Sequence, residues 1–347
     1  MVTSIFGLLL RAAEAGCLPD RAIRLGIRRL LRSRLAELGR AATPQELLDR
    51  FMAESDRGPI APVPDAANRQ HYEVPPAFFQ AVLGHRLKYS CCYWGENEIS
   101  LDAAEDAALA ISCNRASIDD GMTILDLGCG WGSLSLWIAE TFPGSHVTAV
   151  SNSTPQRQFI EQQARHRHLD NIRVLTADMN DFVPDATFDR VVSVEMFEHM
   201  RNHRELLRRI SGWLRPGGQL FVHVFCHKIF AYTFQSNGPQ DWMANHFFTG
   251  GMMPSESLLE NYNTDLKVIR KWDWNGQHYA RTCRAWLNRL DARRRELRNL
   301  FEDCYTPASA SQWINRWRIF FIACEELFAF ADGSEWFVSH ALFEKPE

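Results

Sequence analysis

Residues 122–132 read Met-Thr-Ile-Leu-Asp-Leu-Gly-Cys-Gly-Trp-Gly, and the rest of the chain is organised around them. Met122, Ile124 and Leu125 form a short apolar run that predicts a buried strand. The run ends at Asp126 and turns through Gly128, Gly130 and Gly132. From Ser133 to Glu140 the apolar spacing becomes helical. Glycine suits such a turn because it takes backbone angles that other residues avoid and puts no side chain between backbone and ligand. A nucleotide-like ligand can then lie against the turn and the helix N-terminus.

Taken alone the turn is a weak signal, because an incidental strand-turn-helix with glycines reads the same way. The chain around it is more informative. Its 347 residues are enough for one domain with sizeable appendages, or for two. The balance of 46% apolar and 23% charged residues is that of an ordinary soluble globular protein. A net charge of −4 argues against nucleic acid as a partner. Nine scattered cysteines, with no C-x-x-C pair, predict a reducing compartment rather than a disulfide framework. No apolar stretch is long enough to span a membrane, and Ile5–Leu10 is too short for a signal-peptide core. A cytoplasmic protein is expected.

Residues 1–69 read as a helical appendage ending in a Pro-rich linker. In it Arg21, Arg24, Arg28, Arg29, Arg32 and Arg34 interleave with Ile23, Leu25, Ile27, Leu30, Leu31 and Leu35. Such a basic amphipathic helix either packs its apolar face on the main domain or lies on anionic lipid. Residues 70–120 read as a segment that covers cofactor and substrate. Pro75 and Pro76 open a helix to about Leu83, Tyr89–Trp94 is a polar-aromatic loop, and 101–116 is an Ala-rich helix. Residues 121–225 form the core, with strands at Val147–Ser151, Ile172–Leu175, Phe188–Val194 and Gln219–Phe225. Helices at Pro155–His168 and Arg204–Leu214 separate them, the latter closed by Arg215-Pro216-Gly217-Gly218. Residues 226–347 hold lid insertions and the last strands, at Lys267–Trp274 and Glu335–Phe343, with helices over 279–303 and 310–329.

This alternation predicts an α/β fold with a mostly parallel sheet flanked by helices. Ligands of such sheets sit at strand C-terminal ends. Asp126, Asn152, Asp178, Glu195 and His223 all fall at or near such ends, which predicts a shared site. Glu195-Met196-Phe197-Glu198-His199 places three titratable groups within one short stretch. Three readings compete there: a metal site, a cap on the following helix, and a general base that also attracts a cation. The zinc-binding spacings are absent, so no metal is expected.

The pattern D-x-G-x-G-x-G departs from the dinucleotide fingerprint. It resembles the first motif of Rossmann-like class I methyltransferases, whose cofactor is S-adenosylmethionine (SAM). Further motifs narrow the resemblance: H-Y-E-V-P at 71–75, L-K-Y-S-C-C-Y-W at 87–94, E-M-F-E-H-M at 195–200, F-V-H-V-F-C-H-K at 221–228, F-F-T-G-G at 247–251 and W-F-V-S-H at 336–340. From about residue 15 onward the chain resembles the superfamily of cyclopropane-fatty-acyl-phospholipid synthases and plant coclaurine-type N-methyltransferases. In the lipid branch, positions matching Cys91, Glu198, His223 and Tyr279 hold a bicarbonate that serves as base. That branch typically has Gly where this chain has Glu195. E-M-F-E-H-M, the double Cys and F-F-T-G-G match the N-methyltransferase branch.

The resemblance therefore implies methylation of an aromatic amine, with S-adenosylhomocysteine (SAH) as by-product. It implies SAM binding at Tyr89, Ser90, Asp126, Gly128, Gly130, Asn152, Gln156, Asp178 and Met179. It implies catalysis by Glu198 and His199 with Glu195 nearby. Tyr72, Glu73, Cys91, His223, Phe247, Phe248, Tyr279, Trp317, Phe320 and Phe321 would contact substrate. The alternative is a lipid-modifying enzyme using bicarbonate. The expected partner is a small-molecule amine; a membrane surface met by the basic helix, and a second copy of the chain, are further candidates.

Overall fold

Apolar residues on both sides of a period-2 pattern need cover on both faces, and the central strands have that pattern. Ile124, Val192 and Phe221 face one side, and Leu125, Val191 and Leu220 face the other. The structure, a computed structural model, describes residues 5–63, 74–97, 99–234, 238 and 241–346. The N-terminal helices are α1 (Ile5–Glu14), α2 (Asp20–Ala41) and α3 (Pro44–Ser55), followed by α4 (Pro76–Val82) and α5 (Leu101–Arg115). The core runs β1 (Thr123–Leu127), α6 (Ser133–Thr141), β2 (His146–Ser151), α7 (Thr154–His166), β3 (Ile172–Thr176), β4 (Phe188–Val194), α8 (His203–Trp213) and β5 (Leu214–His227). Next come β6 (Tyr232–Thr233), α9 (Trp242–His246), β7 (Met252–Met253), β8 (Lys267–Trp274), α10 (Gly276–Ala292), α11 (Arg294–Glu302), α12 (Pro307–Phe328) and β9 (Trp336–Glu344).

The main sheet has the order β3-β2-β1-β4-β5-β9-β8. Strands β1 to β5 are parallel, while β9 is antiparallel to both β5 and β8. Leu109 of α5 and Leu134 and Ile138 of α6 cover one face. Leu48 and Phe51 of α3 and Leu206, Leu207 and Ile210 of α8 cover the other. This is the expected Rossmann-like class I methyltransferase architecture.

Three details differ from the sequence reading. The Arg215-Pro216-Gly217-Gly218 stretch lies inside β5, as an irregularity between the Leu214–Phe188 and Gln219–Arg190 pairings. Its Gly217 takes φ +71°. Strand β5 also continues to His227, so His223 sits within it rather than at its end. The helix expected over 279–303 is two helices, broken at Arg293, whose guanidinium donates to the Ala81 carbonyl at 2.8 Å.

The basic helix α2 packs on the domain. Ile23 is buried, and Ile27, Leu31 and Leu35 lean on the same cluster. Arg24 donates to Glu325 at 2.9 Å and to Glu326 at 2.6 Å, both on α12, and Arg28 also pairs with Glu326. Leu25 and Leu30 are exposed. Among the described residues no helix is long and apolar enough to cross a membrane.

Candidate active site

Two adjoining pockets share Gly128, Gly130, Gln156 and Glu195 and form one cleft over the glycine turn. Gly128 has φ +78°, and a Cβ there would meet Met196 side-chain atoms at 2.6 and 2.7 Å. Gly130 has φ +54°, yet its missing Cβ would meet no atom of the described residues within 4 Å. That open space adjoins the cleft, as close approach of a ligand to the backbone requires.

The expected cofactor residues gather here. Asn152, Asp178 and Met179 line one side, and Tyr89, Ser90 and Asp126 line the other. Asp126 accepts a hydrogen bond from Ser135 Oγ, and burial pushes its carboxyl up to about 6. Ser151 Oγ donates to Gln156 Oε1 at 2.6 Å, which fixes the amide orientation. Among the described residues Gln156 Nε2 is then left buried without a partner. A buried N–H in that state calls for an acceptor, and a ribose hydroxyl is one. Val150, Ala177, Met179 and Met200 supply an apolar wall. Polar donors beside an apolar wall and an open glycine turn fit SAM. Asp178 Oδ1 also accepts from Asn180 N–H at 2.8 Å, so this residue closes its own turn as well as lining the cleft.

Across the cleft, Glu195 follows β4 with φ +50°, and its side chain is only 8% exposed. Its Oε1 accepts from Cys91 N–H at 2.9 Å and faces His223 Nε2 at 3.2 Å. Its Oε2 accepts from Tyr279 OH at 2.6 Å. Burial raises the Glu195 carboxyl, and Lys88 and these donors oppose the rise. Cys91, His223 and Tyr279, expected to contact substrate or bicarbonate, thus contact this carboxylate.

Glu198 and His199 differ. His199 lines the cleft, and its ring stacks on Phe248 with centroids 4.7 Å apart. Burial lowers it to about 4, with Glu195 acting in the opposite direction, so the imidazole is neutral. Glu198 is wholly buried, and its Oε1 accepts from Phe225 N–H at 2.7 Å. Its Oε2 has no partner among the described residues. Burial first, then the neighbouring Glu195 charge, push Glu198 well above the usual carboxylate range, which favours its protonated form.

Phe247, Trp317, Phe320 and Phe321 come together, but they pack on one another. Phe247 stacks on Phe320 at 4.4 Å and meets Trp317 edge-on at 5.0 Å. Two of the expected aromatics reach cleft residues: Phe248 stacks on His199, and Trp317 meets Tyr89 with centroids 6.4 Å apart. Tyr72 and Glu73 lie outside the described residues. Sequence reasoning missed Lys88, a buried cation that donates to Ser90 Oγ and the Cys91 carbonyl. It also missed Trp131 and Thr249 in the cleft wall. Lys88 sits inside the quoted L-K-Y-S motif, where a Lys between apolar and aromatic residues was the available signal.

The chain is similar to known proteins in sequence and fold. The mycolic acid cyclopropane synthetase family matches residues 63–334. The (S)-coclaurine N-methyltransferase of Thalictrum flavum subsp. glaucum is 40% identical over 344 residues, covering 97% of this chain and 95% of that protein. The cyclopropane-fatty-acyl-phospholipid synthase of Escherichia coli strain K12 is 30% identical over 224 residues, covering 64% and 56%. Among solved structures, a coclaurine N-methyltransferase bound to N-methylheliamine and SAH superimposes with TM-score 0.90 at 36% identity, covering 98% of each chain. A cyclopropane synthase from Mycobacterium tuberculosis, at 22% identity and TM-score 0.69, shares the fold, covering 81% of this chain and 98% of its own. The chain therefore belongs to the mycolic acid cyclopropane synthetase family of SAM-dependent methyltransferases, in the branch of the coclaurine N-methyltransferases.

Proposed function

We propose that this enzyme transfers the methyl group of SAM to the nitrogen of an aromatic, benzylisoquinoline-like amine. The observation that carries the reading is the position of the Glu195 carboxylate. It accepts from Cys91 N–H and Tyr279 OH and faces His223 Nε2. Those are residues to which the lipid branch assigns its bicarbonate. Here the anion is part of the chain, and a cationic amine has a fixed counter-charge in the cleft wall.

When bound, SAM supplies an electrophilic methyl on its sulfonium. An amine reaches the site largely protonated and must lose that proton before its lone pair can attack. His199 is a neutral acceptor in the cleft, held by stacking on Phe248. Glu195 offsets the charge that the imidazole gains on taking the proton. Glu198, accepting from Phe225 N–H, holds the 195–199 turn against β5. The cleft residues contribute mainly by orienting the two reactants.

The test is transfer of a labelled methyl from SAM, run in parallel on a panel of arylalkyl amines and on vesicles of unsaturated phospholipid. Label on an amine is expected, with a rate unchanged between bicarbonate-free and bicarbonate-supplemented buffer. Label confined to lipid would overturn the reading, as would an amine reaction that needs bicarbonate.

A further inference from the structure

We propose that Arg115 is a positioning residue for the methyl transfer, holding the Glu195 carboxylate in place through His340 and His223. This deepens the reading of Glu195 as the counter-charge in the cleft and rests on it.

The register of the sheet places the parts in a row. His223 on β5 is paired with Val194, the residue before Glu195, and with His340 on β9. His340 is paired in turn with Trp272 on β8. Arg115, at the end of α5, lies over Trp272 and Trp274 with its guanidinium 5.2 and 5.5 Å from the ring centroids. Its Nη1 is 2.7 Å from His340 Nδ1. His340 Nε2 is 2.9 Å from His223 Nδ1, and His223 Nε2 is 3.2 Å from Glu195 Oε1. Both histidines are wholly buried.

The direction of this chain is fixed by its first member. A guanidinium only donates, so His340 Nδ1 must accept. A neutral His340 then carries its proton on Nε2 and donates to His223 Nδ1. His223 in turn carries its proton on Nε2 and donates to Glu195. Burial and the Lys88 and Arg115 charges keep both rings far below their ordinary range, which makes them neutral. Every N–H along the row therefore points toward the carboxylate.

That polarity has a consequence for proton movement. A proton reaching Glu195 cannot leave along the row, because each ring on the way already donates inward from Nε2 and a guanidinium does not deprotonate. The row is a holding device, and the amine proton departs on the cleft side, through His199. The groups facing Glu195 are Lys88, Cys91, Tyr279, His223, His199 and Glu198. Those acting on Arg115 are Tyr93 and Asp273.

Nitrogen NMR of the full chain with 15N-labelled histidine tests the row without substrate. The expected result is two neutral rings, His223 and His340, both protonated on Nε2 and unchanged from about pH 6 to about pH 8. Either ring charged or protonated on Nδ1 overturns the proposal, whatever the acceptor proves to be. Kinetics on a turned-over amine supplies the second arm. Arg115→Met keeps an apolar stem over the two tryptophans but removes the cation. It is expected to lower kcat about tenfold and to move the acid limb of kcat/KM up by about one pH unit, with KM for SAM unchanged. His340→Gln can accept from Arg115 and donate to His223, so it should retain most activity, whereas His340→Leu should behave like Arg115→Met. A wild-type pH profile in Arg115→Met, or equal losses in His340→Gln and His340→Leu, overturns it. A chain that methylates no amine but gives the expected nitrogen spectrum refutes the proposed substrate and leaves the row standing.

Discussion

On the side of the glycine turn, the cleft is made from the ends of three neighbouring parallel strands, β1, β2 and β3. Each contributes through the residues just at or past its end: Asp126 and Gly128, Asn152 and Gln156, Asp178 and Met179. On the other side, the residues around Glu195 and His199 come from segments far apart in the chain: Cys91 before α5, His223 on β5, Phe248 after α9 and Tyr279 on α10. The first half works largely through backbone shape and open space. The second works through buried charge, each side chain held by partners from other elements. A local motif can specify the former. The latter exists only once the sheet order has brought β4, β5 and β9 side by side.

This contrast predicts that the two halves fail differently. His199→Ala should lower kcat by about 100-fold or more, the scale of a lost general base, while SAM binds as before. Isothermal titration with SAM beside steady-state turnover would check it. Parallel losses of SAM affinity and turnover would erase the division. Gly128→Ala should do the reverse. The new Cβ enters a left-handed backbone position and meets Met196. A cost of about 2 kcal/mol in stability is expected from the backbone conformation and the overlap, with SAM affinity falling too. Chemical denaturation and SAM titration read both. Gly130→Ala, with no atom of the described residues in the way, should keep more of the stability and still weaken SAM.

The glutamates at 195 and 198 sharpen the comparison inside the second half. Burial favours the protonated form of Glu198, and Glu198→Gln keeps that form's neutral charge, its size and the acceptor for Phe225 N–H. It should lose only a few-fold in kcat. Glu198→Ala leaves that buried N–H unsatisfied, at about 1–3 kcal/mol, and should lose tenfold or more while SAM still binds. If Gln proves as damaging as Ala, Glu198 works as an ionised base and the assignment to His199 fails.

What the sequence disclosed follows the same division. The strand-turn-helix at 122–141, the alternation after it and the acidic and amide residues at strand ends were legible because each is local in the chain. The stretch 195–199 was legible as chemistry but not as geometry. Nothing in its spacing distinguishes Glu195, in the cleft, from Glu198, behind it; a left-handed turn at Glu195 decides that. His340 stood in a quoted motif without a role, because its partner His223 is reached only through antiparallel pairing of β5 with β9. Phe247, Trp317, Phe320 and Phe321 read as pocket wall, and composition alone does not disclose that they also pack on one another.

The smallest expected effect concerns pH, and there Asp126 and His199 act with opposite sign. Burial pushes Asp126, beside the glycine turn, up to about 6. The folded chain then binds a proton that the unfolded chain, with an ordinary carboxyl near 3.8, has lost. Its contribution favours the fold at low pH and fades as pH rises toward 6. Burial lowers His199 and His203 to about 4. The unfolded chain then binds protons that the fold excludes between about 4 and 6.5, so their contribution is present above pH 6.5 and is lost as pH falls. Each group alone contributes at most about 1.4 kcal/mol per pH unit, and near pH 5.5 the terms oppose one another. Asp126→Asn should therefore make stability climb more steeply from pH 5 to pH 6, and His199→Asn should flatten the same climb. Urea denaturation of the SAM-free chain at several pH values measures both slopes. Changes of the same sign in the two variants would show that the cleft titrates as one coupled unit rather than as two differently built walls.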